Sequence, residues 1–424
     1  MHGAVWAILV PLLAVSILVN VPSVLLLIAF CVGRIGGGRR RLGPKPVIGD
    51  GGELPTVLVQ IPSYNESAVI ERVVESAARQ DWPRDRLQIQ ILDDSTDRTP
   101  EVARSVADRF NRDGMRVELR HRTDRIGFKA GALQAGLDGS SALFVAILDA
   151  DYVPSPDWLR SCMATLLHDS RLAFVQSRIT YLNRDVSWLT RGQAVLLDNH
   201  YVVEQGGRQA AGLIVPFNGT CGVWRRQAIE AVGGWSGDTL VEDMDLSFRA
   251  EAAGWRGQYL LDVSVPGELP ASVRDWMGQQ RRWSMGTAQI VRHTLKRLVR
   301  RETGLRFRMS LAYQMLNVFA AQVSIAALLA GAVYWSQVPV AGDSASVLLV
   351  IALCLMATRA VVSPLVAMAA TRPVGFGSLL IDLPCSILVL LLGAGTGVLA
   401  SIRGLLGRSA PFVRTRKTGS LSGE

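Results

Sequence analysis

Three groups of closely spaced carboxylates mark the chemistry open to this chain of 424 residues. Asp93 and Asp94 open the run Leu92-Asp-Asp-Ser-Thr-Asp-Arg-Thr99, Asp149 and Asp151 flank Ala150, and Glu242 and Asp243 lead into Met244 and Asp245. Carboxylates this close repel one another and are costly away from water unless cations or donors meet them. Asp149 and Asp151 follow the almost wholly apolar run Leu143–Leu148, so they stand where a buried central strand opens. Two Asp at i and i+2 on an extended segment can hold a hard divalent cation, Mg2+ or Mn2+, which keeps several waters and binds substrate phosphates. Neutralising a diphosphate leaving group is the task that suits it. Glu242 and Asp243 head a helical stretch. Either can act as a general base on an acceptor hydroxyl, or the cluster is a negative first turn favoured by the helix dipole. Asp93 and Asp94 can accept bonds from the base or ribose of a nucleotide, or they belong to a solvated loop that caps the next helix.

Three further stretches carry polar signatures. Gln60-Ile-Pro-Ser-Tyr-Asn-Glu66 offers Tyr64 to stack on a nucleobase and Asn65 or Glu66 to bond to it, or forms an ordinary strand-to-helix turn. Gly127-Phe-Lys-Ala-Gly-Ala-Leu133 starts a helix, whose N-terminal N–H groups favour an anion to which Lys129 adds a point charge, unless that lysine simply faces solvent. Gln279-Gln-Arg-Arg-Trp283 presents Arg282 to a diphosphate and Trp283 to a sugar face, or is an interfacial anchor of Trp and Arg. The five cysteines are scattered without metal-ligand spacing or a disulfide framework, and Cys221 has no nearby histidine to activate it as a nucleophile.

These residues need elements to hold them. Short β-runs at 57–61, 87–92, 116–120, 143–148 and 173–178 alternate with helical stretches near 67–80, 99–112, 128–138 and 156–167. Such alternation predicts an α/β domain with a mostly parallel sheet and helices on both faces. Ligands in these sheets bind beyond the carboxyl ends of the strands, where most of the signatures fall. Residues 185–295 read as a mixed helical region.

The rest of the chain is apolar. Residues 5–33 are long enough to cross ~30 Å of hydrocarbon at about 1.5 Å per residue and read as a retained anchor. The basic stretch Arg34–Lys45 follows it, which places the N-terminus outside and the next domain in the cytoplasm. Further apolar segments lie at 309–335, 346–370 and 375–402. Three full crossings would put the basic tail outside, so one of the last two segments, broken by Arg359, Pro364, Pro384 and Gly393–Gly397, is expected to be interfacial or re-entrant, with the tail cytoplasmic. Charged residues make up 19% of the chain and the net charge is +9. The excess sits in Arg runs beside apolar stretches, which suits a membrane surface rather than nucleic acid. The expected organisation is an anchor at 1–35, a linker at 36–54, a catalytic domain at 55–269, amphipathic interface helices at 270–308, transmembrane or interfacial helices at 309–405 and a basic tail at 406–424.

Taken in order, Asp-Asp, Asp-Ala-Asp, Glu-Asp and Gln-x-x-Arg-Trp, the motifs resemble those of the family 2 inverting glycosyltransferases of the cellulose synthase-like kind, nearest to β-mannan (glucomannan) synthases and bacterial relatives. The resemblance is strong over about 55 to 300 and implies a cytosolic GT-A (Rossmann-like) domain joined to transmembrane and interfacial helices. It implies that Tyr64, Glu66 and Asp94 contact the nucleoside, with Asp93 beside them. Lys129 would face the diphosphate, Asp149 the donor, and Asp151, with Asp149, the metal, while Asp243 would be the base with Glu242 next to it. Gln279, Arg282 and Trp283 would hold pyrophosphate and acceptor sugar, and Phe217, Asn218, Gly219 and Thr220 would line the acceptor site. The tail Phe412-Val-Arg-Thr-Arg-Lys417 looks like a relaxed form of the family's gating-loop signature, with Thr415 and Lys417 matching and Arg414 and Arg416 departing from it.

The resemblance implies transfer of a hexose from UDP-glucose or GDP-mannose to a growing β-linked polysaccharide, of the β-1,4 glucan or mannan type, at the cell membrane. The alternatives are a non-processive lipid glycosyltransferase acting on ceramide or polyprenyl phosphate, a polymer synthase using UDP-N-acetylglucosamine, and, in another class, a transporter or receptor with a nucleotide-binding module. The partners expected are a nucleotide-sugar donor, a glycan or lipid acceptor, the bilayer, and a second copy or an export protein to complete a channel.

Overall fold

The computed structural model describes residues 2–36, 54–298, 304–337, 344–372, 375–408, 414–417 and 419. The expected linker, apart from its two ends, and Phe412 of the tail lie outside them. In chain order the elements are α1 (His2–Gly36), β1 (Val57–Ser63), α2 (Ile70–Ala78), β2 (Leu87–Asp93), α3 (Thr99–Arg112), β3 (Arg116–His121), α4 (Phe128–Asp138), β4 (Phe144–Ile147), α5 (Trp158–His168), β5 (Leu172–Tyr181) and α6 (Trp188–Asp198). A π-helical turn (Asn199–Glu204) leads into α7 (Gln205–Ala210). Then come β6 (Gly222–Arg225), α8 (Arg226–Glu230), α9 (Glu242–Ala252), β7 (Arg256–Gly267), α10 (Val273–Leu298), α11 (Leu305–Asn317), α12 (Ala320–Gln337), α13 (Ser344–Ala357), α14 (Ser363–Thr371) and α15 (Phe376–Leu405). A second π-helical turn (Thr358–Val362) joins α13 to α14.

The chain forms two compact units. The first holds the sheet and comprises 54–190, 214–279 and the described residues of 414–419. The second holds the apolar helices and comprises 2–36, 191–213 and 280–408. Residues 191–213 thus group with the apolar helices, although the sequence had them inside a continuous 55–269 domain. The tail residues group with the sheet.

Among the described residues seven strands run in the order β3-β2-β1-β4-β6-β5-β7. β3, β2, β1 and β4 are parallel, and so are β5 and β7, while β6 runs antiparallel between β4 and β5. β6 and β7 lie in the stretch expected to be helical, a correction with a physical cause. β6 has only four residues, too few to show a period of two. β7 pairs β5 through two register irregularities, and its burial loses strict alternation.

The core explains why the site loops stand where they do. Phe174 and Trp224 stack at 4.4 Å, and Phe217 packs edge-on against both, at 5.5 and 5.4 Å. A Cβ on Gly222 would come within 2.5 Å of both the Phe217 ring and Val175 O, so only glycine lets this aromatic cluster close on β6.

In the helical unit, Leu9 and Leu13 of α1 pack with Ala327 and Tyr334 of α12 and Leu349 of α13. Asn20 donates to Ser324 Oγ at 2.9 Å. Asp382, fully buried on α15, accepts from Arg372 at 2.7 Å and faces Arg191 at 3.5 Å. Among the described residues three helical stretches, 7–35, 344–371 and 376–405, are long and apolar enough to cross a membrane, and α11 with α12 would make a fourth but for a 51° bend.

Candidate active site

The parallel strands end side by side, and each end delivers a polar side chain. β2 ends at Asp93, which is completely buried. Ser95 Oγ donates to its Oδ1 at 2.5 Å, and His121 Nδ1, from the end of β3, lies 2.7 Å from its Oδ2. Asp94 is gripped by the fork of Arg122, at 2.8 and 2.7 Å. The third carboxylate of this run, Asp97, does the capping: its Oδ1 accepts the Thr99 N–H at 2.9 Å at the start of α3.

Tyr64 and Glu66 follow β1. The guanidinium of Arg125 lies 3.4 Å from the centroid of the Tyr64 ring. Glu66 accepts both arms of Arg414 from the tail, at 3.2 and 3.1 Å. Burial pushes the Glu66 carboxyl up to about 7 even though Arg414 pulls the other way.

Past β4, the Asp149 N–H donates to Thr220 Oγ1 at 2.8 Å, which ties this turn to the loop before β6. Lys129 Nζ, on the first turn of α4, donates to Asp149 Oδ1 at 2.6 Å and to Gly219 O at 3.0 Å, and lies 3.8 Å from Glu242 Oε1. Its ammonium therefore holds carboxylates and a backbone carbonyl where a diphosphate contact was expected. Burial disfavours its charge, but Asp149 and Glu242 outweigh that and raise its pKa. Asp151 receives Lys417 Nζ at 2.5 Å, and the same ammonium donates to Glu268 O at 2.8 Å.

Asp243 sits on the first turn of α9. Burial, with Glu242 beside it, pushes its carboxyl up to about 7, although Lys129 draws it down. Ser247 fixes this turn to the neighbouring loop: its hydroxyl donates to Asp243 O at 2.7 Å and accepts the Phe217 N–H at 2.8 Å. Gly219 has φ of 81°, and a Cβ there would stand 3.0 Å from Asp243 Oδ2, so a bare backbone is what leaves room at the carboxylate.

Lys129, Asp149, Gly219, Thr220, Glu242 and Asp243 thus come together. Phe217 differs from its expected acceptor-lining role, because its ring is 1% exposed and belongs to the core. Its neighbour Asn218 is fixed through its backbone N–H, which donates to Gln176 Oε1 at 2.9 Å. Gln279 lies on α10 within the sheet unit, and Arg282 and Trp283 lie further along that helix, within the helical unit. Thr415 of the tail is buried. Cys221 is buried with its thiol pushed well above the ordinary range by desolvation, which suits a structural residue.

Sequence reasoning missed His121, Arg122, Arg125 and Glu268. His121 ends β3 and Arg122 and Arg125 follow it, so all three fall under the strand-end rule already used for the other motifs. Glu268 directly follows β7 and went unseen with that strand. It accepts from Arg72 at 2.5 Å and from Gly419 N–H at 3.2 Å.

The cation question can be put to these residues. Among the described residues no three His, Cys, Asp or Glu side chains converge as a metal cage. A hard cation bound with substrate phosphates and water needs only one or two protein carboxylates. Asp151, already holding an ammonium, and Asp149 beside it fit that demand.

A family model described as "Glycosyltransferase like family 2" matches residues 55–286. The chain is 41% identical over 270 residues to "Glucomannan 4-beta-mannosyltransferase 1" of Oryza sativa subsp. japonica, covering 62% of this chain and 52% of that protein. It is 43% identical over 250 residues to "Glucomannan 4-beta-mannosyltransferase 2" of Arabidopsis thaliana, covering 58% and 47%. The chain therefore spans about half the length of these relatives. Among solved structures it is similar to "Mannosyltransferase PcManGT from Pyrobaculum calidifontis in complex with GDP-Man and Mn2+", with a TM-score of 0.54 and 23% identity over 82% of this chain and 98% of that one. That likeness is one of fold, a GT-A-like mixed sheet.

Proposed function

Because the chain belongs to glycosyltransferase-like family 2, we propose that it is a membrane-bound inverting mannosyltransferase that moves mannose from GDP-mannose to the end of a β-1,4-linked glycan. The observation that carries this reading is the meeting of Asp243, Glu242, Lys129 and Asp149 at the carboxyl ends of the strands. The relatives' names support the sugar, and the family supports the reaction type.

In this mechanism Asp243 takes the proton from the acceptor hydroxyl. The hydroxyl oxygen bonds to the anomeric carbon as the bond from that carbon to the diphosphate oxygen breaks, and the nucleoside diphosphate leaves with the electron pair. A carboxyl with a pKa of about 7 is matched to this task near neutral pH. Lys129 offsets part of the negative charge that Asp149, Glu242 and Asp243 bring to the site, which favours the ionised form of Asp243. Asp151 and Asp149 would hold the divalent cation, which supplies positive charge to the leaving diphosphate. Glu66 and Asp94 would bind the nucleoside, Asn218 and Thr220 the acceptor side, and Gln279, Arg282 and Trp283 the pyrophosphate and acceptor sugar. Arg414 and Lys417 now occupy Glu66 and Asp151, so the tail would move when donor and cation enter.

The tail also bears on topology. Residues 414–417 belong with the sheet unit, so the chain would cross the bilayer an even number of times between 279 and 414. The spans 344–371 and 376–405 supply two crossings. The bent pair α11 and α12 would then be the re-entrant or interfacial element, in place of one of the last two apolar segments, expected from their breaks.

The test is product analysis. Purified protein in lipid nanodiscs is offered GDP-mannose, UDP-glucose or UDP-N-acetylglucosamine, with Mn2+ or Mg2+ and a β-1,4 oligosaccharide primer. Mannose added to the primer in β-linkage only when a cation is present is the expected result. Transfer to lipid alone, or from another donor, would replace this reading.

A further inference from the structure

We infer that Arg125 closes over the nucleobase of the donor, completing a stack whose other face is Tyr64. This rests on the nucleotide-sugar donor proposed above and names the residue that recognises its base.

The guanidinium carbon of Arg125 lies 3.4 Å from the Tyr64 ring centroid and 5.4 Å from that of Phe128. Among the described residues Arg125 makes no ion pair, and its buried Nε–H has no acceptor. The acids around the strand ends already have partners: Asp94 has Arg122, Glu66 has Arg414, and Asp93 has Ser95 Oγ and His121 Nδ1. A buried guanidinium N–H without an acceptor is uncommon and calls for a reason.

The loop is built to put it there. Arg125 and Phe128 have φ of 48° and 49°, and Gly127 between them has 71°. Non-glycine residues in that region are strained and persist only where their surroundings hold them. Arg122 does the holding: while gripping Asp94 it donates to Ile126 O at 3.3 Å and Phe128 O at 3.0 Å. A Cβ on Gly131 would lie 2.0 Å from Ile126 O, so only glycine lets the loop close onto α4. The aspartate expected to touch the nucleoside and the loop carrying Arg125 are therefore fixed by one side chain.

A planar guanidinium at stacking distance stands where a base would lie on Tyr64. When the base enters, Arg125 moves to the base's outer face, where guanidinium planes stack well. The two-ring face of guanine gains more from this than the single ring of uracil.

The experiment measures affinity of the full chain for GDP, UDP and inorganic pyrophosphate, each with Mn2+. Arg125→Ala is expected to weaken GDP about tenfold, to weaken UDP less, and to leave pyrophosphate unchanged. Arg125→Lys keeps the charge without the plane and should lose most of the same affinity. Tyr64→Leu should follow Arg125→Ala, and the two losses together should be less than additive. Unchanged or tighter GDP binding by Arg125→Ala, or a parallel fall for pyrophosphate, overturns the inference and leaves the donor assignment standing. Wild-type protein that binds pyrophosphate but neither nucleotide overturns both.

Discussion

Lys129 Nζ lies 2.6 Å from Asp149 Oδ1, and this ion pair joins the first turn of α4 to the mouth of β4. The same ammonium reaches Glu242 at 3.8 Å. One half-buried cation thus links two of the three carboxylate groups whose spacing marks the chain.

Removing that cation should show in stability as well as activity. Lys129→Met leaves Asp149, Glu242 and Asp243 with no ammonium between them; unpairing a charge costs about 3–5 kcal/mol where it is fully buried and less at this half-buried pair. The melting temperature in detergent should fall, by less than that full loss implies. The surviving activity should need a higher pH, because the ammonium no longer favours the Asp243 carboxylate.

Asp243→Asn should reduce transfer by about a thousandfold or more, in keeping with the loss of a general base, while GDP affinity changes less than about threefold. The substitution also bears on stability. The folded-state pKa of Asp243 is raised, so the stability linked to it is fully present below its unfolded pKa, near 4, and is lost as pH rises through about 7. Asparagine removes that loss. The variant should melt above wild type at pH 8, with the difference shrinking toward pH 5, and an equal difference at both would exclude the ionisation argument.

For the wild-type enzyme, kcat/KM should rise about tenfold per pH unit below pH 7 and level off above it, since only the ionised carboxylate accepts the proton. A profile flat from pH 5 to pH 8 would remove Asp243 from the role of base.

Lys417→Gln frees the Asp151 oxygen now held at 2.5 Å. A charged hydrogen bond is worth enough that Mn2+ should bind about tenfold more tightly to the donor-free variant. Electron paramagnetic resonance of bound Mn2+ checks this without reference to turnover. Weaker Mn2+ binding would mean that the lysine assists the cation rather than taking its place.

In the helical unit, Asp382→Ala leaves Arg372 and Arg191 facing a vacated, fully buried position. The expected loss is again about 3–5 kcal/mol, read as a drop in melting temperature of the whole chain with donor affinity of the surviving folded protein retained.

The local patterns of the chain were enough for the first five strands, the helices between them and the apolar spans, because alternation, helical period and hydrophobic length are properties of neighbouring residues. The motif-bearing turns were legible for the same reason: Asp-Ala-Asp after an apolar run announces a strand mouth wherever the strand lies. Tertiary structure alone decided the rest. β6 and β7 depend on pairing with β4 and β5, distant in sequence, and their own residues show no clean period. The tail's hold on Glu66 and Asp151, the grouping of residues 191–213 with the apolar helices, and Lys129 turning to Asp149 are likewise long-range. A residue type limits what its side chain can bond to, but which partner it meets is set by sheet register and core packing, and those are properties of the whole folded chain.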